Sequence, residues 1–279
     1  MQKKHLVGFR IGGVPEHFNL PWRLAIESGS LTSAGVSAHW RNFHSGTGQM
    51  VQALANNDID MATLLTEGAV AALSDSEHAE QFELFSFYTN TPLIWGIHSP
   101  AHSSIKSLAD IKNATFVISR YGSGSHLMAY LLAESLNLDT SNLQFKIVHN
   151  LGGARDLFKN GGDYIFLWEK FMTKPYVDNG EMHNIGDFPT PWPCFITCVR
   201  KNILQQYPEQ VALIMNKVLA TANELKTSPI AVKLIASRYR LDVQDVTTWL
   251  TATDWHQSIN LDPIILKTVK EKLTQLNII

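Results

Sequence analysis

The sequence predicts an α/β protein of two lobes, in which helices flank a mostly parallel sheet in each lobe and two hinge strands join the lobes. Three observations lead to this fold class. The chain has 279 residues, a length at which single hydrophobic cores tend to divide into domains. Short apolar segments alternate with amphipathic ones, and a second series begins after Thr91-Pro92. Three prolines, at positions 189, 191 and 193, then precede a last strand and a long helical region.

The first lobe is predicted to comprise residues 1–90 and 192–279. Its first strand is the apolar segment Leu6–Ile11, which is followed by Gly12-Gly13 and by a helix that stops at Gly29. Further strands are expected at residues 36–40, 61–66 and 82–88, and a helix around Met50 lies between the first two of them. Ligands of parallel sheets bind at the carboxyl ends of the strands. Those ends are residues 12–17, residues 66–68 and Tyr88.

The second lobe is predicted to comprise residues 91–191. Its strands are expected at Leu93–His98, Thr115–Ser119, Phe145–Val148 and Tyr164–Trp168, and its helices at Ser107–Ile111, His126–Leu136 and Ala154–Lys159. The prolines between residues 189 and 193 interrupt regular structure. The strand Phe195–Val199 and the helical region Pro208–Leu276 are then expected to pack on the first lobe. Two strands would therefore cross between the lobes and act as hinges.

Composition excludes several classes of function. The net charge is −2 and the Lys and Arg residues are scattered, so nucleic acid is not an expected partner. No apolar segment is long enough to cross a bilayer, so no membrane insertion is expected. Cys194 and Cys198 are the only cysteines, and we interpret them as packing thiols on a strand. The histidines show no metal-binding spacing and no G-x-S-x-G motif occurs, so no metal, no cofactor and no catalytic residue is predicted.

The segment Gly122-Ser123-Gly124-Ser125-His126 lies between a predicted strand and a predicted helix. Backbone N–H groups at the start of that helix, with its dipole, can bind an anion or a carbonyl oxygen, and the serines and His126 add donors. The alternative is an ordinary helix cap made by serine. A dinucleotide site is not supported, because Leu127 occupies the position of the third glycine and no lysine follows.

Other strand ends carry carboxylates. Glu16 and His17 follow Gly13, Glu67 lies between Thr66 and Gly68, and Glu169 follows Trp168. With the aromatic residues Tyr88, Tyr121 and Trp192, they predict a flat, partly cationic or hydrogen-bonding ligand that is held by stacking, and Glu67 could bind an amine or a ring N–H of that ligand. The alternatives are salt bridges for the carboxylates and core positions for the aromatic residues.

The whole chain resembles the type 2 periplasmic-binding-protein family. The resemblance rests on Ile11–His17, Ser45–Met50, Asp58–Asp60, Leu65–Gly68, Ser107–Ile111 and Ser119–His126. The nearest branch binds sulfonates, nitrate, taurine or the pyrimidine precursor of thiamine. The resemblance implies two lobes with a ligand in the cleft, and delivery of that ligand to a membrane transporter. It also implies ligand contacts by Glu16, His17, Thr66, Glu67, Tyr121, residues 123–126, Trp168 and Glu169.

These features predict a solute-binding protein rather than an enzyme. Its ligand would be small and polar, heteroaromatic or anionic, such as a thiamine precursor or a sulfonate, and its partner the membrane component of an ABC transporter. One alternative is an enzyme of thiamine-pyrimidine or menaquinone-precursor synthesis, with His126 or His17 as acid or base. However, the thiamine-precursor synthases of this fold have a cysteine-rich segment that this chain lacks. Another alternative is a ligand sensor without a DNA-binding module. A cytoplasmic location is expected if Met1 is native, and a periplasmic one if an export signal was removed.

Overall fold

The computed structural model describes residues 6–279. Contacts between residues divide the chain into two compact units. Unit 1 comprises the chain up to Thr91, then Trp192–Gln275 and Ile279, and unit 2 comprises Pro92–Pro191 with Leu276–Ile278. The first five residues of the predicted first lobe lie outside the described residues. No helix within residues 6–279 is long and apolar enough to cross a membrane.

The first part of unit 1 alternates strands and helices as the apolar pattern predicts. Its elements are β1 (Val7–Gly13), α1 (Leu20–Glu27), α2 (Ser30–Ser33), β2 (Val36–Asn42), α3 (Thr47–Ala55), β3 (Met61–Leu65), α4 (Thr66–Ala72), α5 (Ser76–Gln81) and β4 (Phe82–Phe87). A short 3-10 helix covers His17–Asn19 before α1. Two glycines have positive φ angles: Gly29 (φ 74°) separates α1 from α2, and Gly46 (φ 70°) precedes α3.

Unit 2 repeats this alternation. Its elements are β5 (Ile94–Pro100), β6 (Thr115–Ile118), α6 (Gly124–Ser135), β7 (Gln144–Ile147), α7 (Leu151–Phe158), β8 (Tyr164–Glu169), α8 (Lys170–Asp178) and β9 (Met182–Pro189). The predicted helix at residues 107–111 is a 3-10 helix, Leu108–Asn113, which begins with a capping box between Ser107 and Asp110.

Strand β9 is absent from the sequence-based prediction, which treats the prolines as interrupting any regular element. The segment is half-exposed and contains His183, Asn184 and Asp187, so neither an apolar run nor strict alternation marks it. It forms because it pairs antiparallel with β5 along its length. Tertiary pairing therefore outweighs weak local propensity here, and Pro189 is tolerated as the last residue of an edge strand.

The chain returns to unit 1 with β10 and five helices. These elements are β10 (Phe195–Arg200), α9 (Lys201–Gln206), α10 (Pro208–Thr227), α11 (Ala231–Tyr239), α12 (Val243–Ala252) and α13 (Pro263–Gln275). The helical region predicted at 208–276 is thus four helices. Arg240 ends α11 in the left-handed conformation (φ 56°), and the ammonium of Lys226 bonds to carbonyls at the end of α12.

The two sheets have the same topology, with strand orders β2-β1-β3-β10-β4 and β7-β6-β8-β5-β9. In each sheet four strands run in one direction, and β10 or β5 runs opposite between two of them. The predicted α/β class with two mostly parallel sheets is therefore confirmed, with one antiparallel strand inside each sheet. Each of these inserted strands directly follows a point where the chain passes from one unit to the other.

The sheet of unit 1 is buried by the helices of the same unit. Helices α3, α4 and α13 cover one face with apolar side chains that pack around Leu64 and Phe87. Helices α1 and α10 pack against each other and bury Trp22 and Met215. Burying each such side chain stabilises the fold by about 1.5–3 kcal/mol. The strand ends, where polar residues cluster, are thereby held on a rigid framework.

Candidate ligand-binding site

In unit 2, a turn connects the end of β6 to the start of α6. Gly122 has a φ of 72°, a conformation that glycine adopts without strain. Its N–H donates to Nδ1 of His126 at 3.1 Å. Ser123 is the cap of α6, since its Oγ accepts from the N–H of His126 at 3.3 Å. Ser123 therefore makes the ordinary helix cap that was the alternative to an anion site. Its hydroxyl also belongs to a larger cluster of serines.

That cluster consists of three buried serines, Ser119, Ser123 and Ser125. The Oγ of Ser125 accepts from the N–H of Ser119 at 3.0 Å and lies 3.0 Å from the Oγ of Ser123. Among the described residues, no acceptor bonds to the N–H groups of Gly124 and Ser125. Those groups lie at the positive end of the α6 dipole. The turn therefore offers converging donors of the kind that bind an oxyanion.

His126 is a neutral donor in this turn. Because Nδ1 accepts from Gly122, the ring proton is on Nε2, and burial lowers the pKa of the ring from its ordinary value. Tyr121, Tyr130 and Phe145 surround the imidazole, with centroid distances of 5.2, 5.1 and 4.8 Å. Tyr121 is 61% exposed. A flat ring beside the serines would find aromatic surface here.

Trp168 and Glu169, the other predicted contacts of unit 2, have structural partners. The Trp168 ring is stacked on Phe166 at 5.3 Å, within the packing of unit 2. Glu169 caps α8, because its Oε2 accepts from the N–H of Met172 at 2.7 Å. Both contacts belong to the fold of unit 2.

Arg120 is a residue that the sequence-based prediction omits. It lies between Ser119 and Tyr121 in the same turn, and burial lowers the pKa of its guanidinium. A cationic residue in this turn adds to the attraction of the turn for an anion. In the sequence, its position directly before Tyr121 was the only sign that Arg120 belongs to this turn. It was left out of the prediction because an arginine that is not part of a cluster is ordinarily exposed.

In unit 1, the predicted residues Thr66, Glu67 and Trp192 come together at the carboxyl end of β3. The indole N–H of Trp192 donates to Oε2 of Glu67 at 2.9 Å. Thr66 donates from Oγ1 to the carbonyl of Pro193 at 2.6 Å and from N–H to the carbonyl of Cys194 at 2.9 Å. The start of α4 is thereby bonded to the returning segment 192–194.

Glu67 is an unusual carboxyl because it is 1% exposed and its Oε1 has no hydrogen-bond partner among residues 6–279. Burial raises its pKa to about 7, and the bond from Trp192 opposes that shift. The carboxylate expected from the sequence is therefore half-protonated near neutral pH.

Gly13 and Gly68 are required by packing. A Cβ on Gly68 would lie 2.6 Å from Cγ2 of Thr47, and a Cβ on Gly13 would overlap the ring of Trp40. The Thr47 hydroxyl in turn accepts from the N–H of Leu65 at 3.1 Å. The side chains that lie close to the backbone at these two glycines are thus Thr47 and Trp40, which belong to unit 1 itself.

His17 and Tyr88 lie in the aromatic core of unit 1. The His17 ring packs against Trp249 at 4.1 Å, and burial lowers its pKa to about 3. The Tyr88 hydroxyl donates to the carbonyl of Phe18 at 2.8 Å. Both side chains are fully buried, so the core alternative describes their packing. Glu16 precedes this cluster, and its carbonyl accepts from the N–H of Asn19 at 3.0 Å.

The topology shared by the two sheets, with one antiparallel strand between parallel neighbours in each, is that of a type 2 periplasmic-binding-protein fold. The resemblance stated from the sequence is thereby confirmed. The family model of the Ca3427-like periplasmic binding proteins (PBP) matches residues 95–188, and no curated protein gives a significant match.

Solved structures align along nearly the whole chain. The CA3427 gene product of Candida albicans has a TM-score of 0.88 and 24% identity, covering 98% of this chain and 91% of its own. The alkanesulfonate-binding protein SsuA of Xanthomonas axonopodis pv. citri, bound to MOPS, has a TM-score of 0.79, 15% identity and coverages of 98% and 94%. The periplasmic nitrate-binding protein NrtA of Synechocystis PCC 6803 has a TM-score of 0.74, 10% identity and coverages of 98% and 82%.

Proposed function

We propose that this protein is a solute-binding protein that closes on a small polar ligand carrying an anionic group, for which a sulfonate is the best representative. The observation that carries the proposal is the turn 119–126, where two backbone N–H groups, three serine hydroxyls and a neutral histidine converge at the start of a 12-residue helix. Such a set of donors favours oxygen-rich anions.

The side chains of the turn further limit the range of candidate ligands. Within residues 119–126 no side chain is acidic, and Arg120 adds a positive charge. Tyr121 offers an exposed aromatic face beside this turn, so an organic group attached to the anion could pack there. The solved relatives that bind MOPS and nitrate have the same fold, which supports an oxyanion as the first ligand to test. A thiamine pyrimidine precursor is the heteroaromatic alternative.

Isothermal titration calorimetry against ethanesulfonate, taurine, nitrate and the thiamine pyrimidine precursor tests the proposal. Ser125→Ala removes the hydroxyl at the centre of the serine cluster and is expected to weaken anion binding about tenfold, the loss of roughly one hydrogen bond. Ser135→Ala is the matched control, since Ser135 ends the same helix and its hydroxyl donates to the carbonyl of Leu132. Failure of all four compounds to bind the wild-type protein, or equal affinities for Ser125→Ala and wild type, contradicts the proposal.

The same samples distinguish binding from catalysis. Mass spectrometry of each ligand after incubation is expected to recover it unchanged. Conversion to a product would instead support the enzyme alternative, with His126, whose backbone N–H bonds to Ser123, as acid or base. If the protein is not catalytic, we propose the membrane component of an ABC transporter as its partner. This part of the proposal rests on the fold.

A further inference from the structure

We propose that unit 2 has a second small-molecule site, which binds an apolar α-amino acid through Lys112, Asp139 and a buried apolar floor. Lys112 attracts the carboxylate of the ligand, Asp139 attracts its ammonium group, and the floor receives its side chain. The site is a cavity of about 410 Å³ at the end of the sheet where β6 and β7 begin. That volume is typical of small-molecule pockets, which range over about 300–1,000 Å³.

The cavity and the turn 119–126 lie at opposite ends of β6. Phe116 lines the cavity, whereas Ser119 directly follows the last residue of the strand. A strand rises about 3.3 Å per residue, so these two residues are about 10 Å apart along it. The described lining residues belong to segments 111–116 and 137–144, and none of them belongs to the turn. The inference therefore goes beyond the proposed function and does not depend on it.

The cavity forms because β6 and β7 are separate before they pair. Their pairing begins at Thr115 and Gln144. One strand is preceded by a short 3-10 helix, and the other by the end of α6. Helix α6 ends in a Schellman motif, in which Asn137 is left-handed (φ 54°) and the N–H of Leu138 donates to the carbonyl of Ala133 at 2.9 Å. The two incoming segments thus enclose the cavity between them.

The floor of the cavity is apolar. Ile111, Ala114 and Phe116 are at most 7% exposed, and the partly buried Leu138 and Leu143 also line the cavity. A branched or aromatic ligand side chain that packs here removes apolar surface from water on both partners. The floor therefore favours an apolar amino acid over a polar one.

Among the described residues, Lys112 and Asp139 are the charged ones that line the cavity, and they do not pair with each other. Within residues 6–279, Lys112 has no ion pair and no side-chain hydrogen bond. Asp139 accepts from the N–H and Oγ of Ser141 at 2.9 and 2.7 Å and from Nδ2 of Asn142 at 2.9 Å. A carboxylate has about four acceptor positions, so one is left for a ligand ammonium.

The hydrogen bonds to Asp139 keep its carboxylate ionised and fixed in place. The bonds from Ser141 and Asn142 hold the pKa of Asp139 below its ordinary value. One cation and one anion on the same cavity match a ligand that carries both charges. Because both side chains are exposed, each charge is expected to change the affinity by only about two- to fivefold.

Three related ligands test these roles on the full chain. L-phenylalanine has both charges, 3-phenylpropanoate lacks the ammonium group, and 2-phenylethylamine lacks the carboxylate. In ¹H–¹⁵N NMR titrations at pH 7, L-phenylalanine is expected to shift the amide signals of Ala114, Leu138 and Leu143 in a saturable way. Each of the other two compounds should bind about two- to fivefold more weakly.

Two variants assign each charge to its partner. Lys112→Met should weaken L-phenylalanine and 3-phenylpropanoate about two- to fivefold and leave 2-phenylethylamine unchanged. Asp139→Asn, which keeps a side-chain oxygen for Ser141, should weaken L-phenylalanine and 2-phenylethylamine and leave 3-phenylpropanoate unchanged. Lys159→Met is the matched control, since Lys159 is exposed in unit 2 and does not line the cavity.

Three results would overturn the proposal. The first is that neither L-phenylalanine nor L-leucine shifts the amide signals of the cavity in wild type. The second is that Lys112→Met and Lys159→Met bind L-phenylalanine equally well. The third is that Ser125→Ala weakens L-phenylalanine as much as it weakens ethanesulfonate, which would place the amino acid in the turn 119–126. Failure of ethanesulfonate to bind, with L-phenylalanine still bound at the cavity, would remove the proposed function and leave this inference intact.

Discussion

The indole N–H of Trp192 donates to the Glu67 carboxyl at 2.9 Å, although the two residues are 125 positions apart in the chain. Trp192 is the residue at which the chain re-enters unit 1, and Glu67 lies in the first turn of α4. The bonds from Thr66 to Pro193 and Cys194 run beside this contact. A change in the path of segment 192–194 would therefore displace the Glu67 carboxyl.

Glu67 is expected to make the protein less stable as pH rises. Its pKa is 4.5 ordinarily and about 7 in the folded protein, so the unfolded chain binds fewer protons between these values. Stability therefore falls as pH rises from about 4.5 and levels off above about 7, by at most about 3 kcal/mol. Thermal unfolding across this range should show a smaller decline for Glu67→Gln. Parallel curves for the two proteins would contradict the prediction.

His98 is expected to act in the opposite direction. Its ring is buried in the space left by Gly96, where a Cβ would lie 2.7 Å from Nε2, and its Nδ1 lies 3.2 Å from the carbonyl of Phe166. Burial lowers its pKa from 6.5 to about 4. The unfolded chain then binds more protons between these values, so stability is lost as pH falls from about 6.5 towards 4.

His98→Asn keeps a donor for the Phe166 carbonyl and removes the titration. Because the smaller side chain leaves a cavity, its thermal midpoint at pH 7.5 should be lower than that of wild type. The difference between the two proteins should shrink as pH falls to 4.5. A difference that stays constant over this range would show that His98 does not titrate on unfolding.

Gly68→Ala is expected to destabilise unit 1 by about 1–3 kcal/mol, since the new methyl would overlap Cγ2 of Thr47 at 2.6 Å. Thr47→Ser removes that methyl and keeps the hydroxyl that accepts from Leu65. The double variant should therefore recover part of the lost thermal stability. Additive losses in this double-mutant cycle would exclude the Thr47 contact as the cause.

Gly122→Ala is expected to cost about 1–2 kcal/mol, because φ is 72° and a Cβ disfavours the left-handed region. A Cβ there would meet no atom within 4 Å, so the cost is conformational. Gly122→Asn, which tolerates this region better, should lose less. Equal thermal midpoints for the alanine variant and wild type would indicate that the turn relaxes.

Much of the candidate site could be predicted because it depends on short-range geometry. The turn at Gly122–His126 follows from a glycine and a capping serine that stand directly before an apolar helix. The role of Ser119 and the location of the proton on His126 could not be predicted. Both depend on hydrogen bonds that only the folded turn creates, from the N–H of Ser119 to Ser125 and from the N–H of Gly122 to His126. That Tyr88 and His17 are fully buried could not be predicted, since their burial depends on residues distant in the chain, such as Trp249 beside His17.

The sequence by itself determined the α/β alternation, the strand ends and the helix cap, because hydrophobic periodicity and capping act over a few residues. Only the tertiary structure decided that β10 and β5 run antiparallel inside their sheets, and that β9 is a strand at all. It also decided the pKa of Glu67. A carboxyl takes its pKa from its surroundings, and for Glu67 these are burial and a hydrogen bond from Trp192, which lies 125 positions away in the chain.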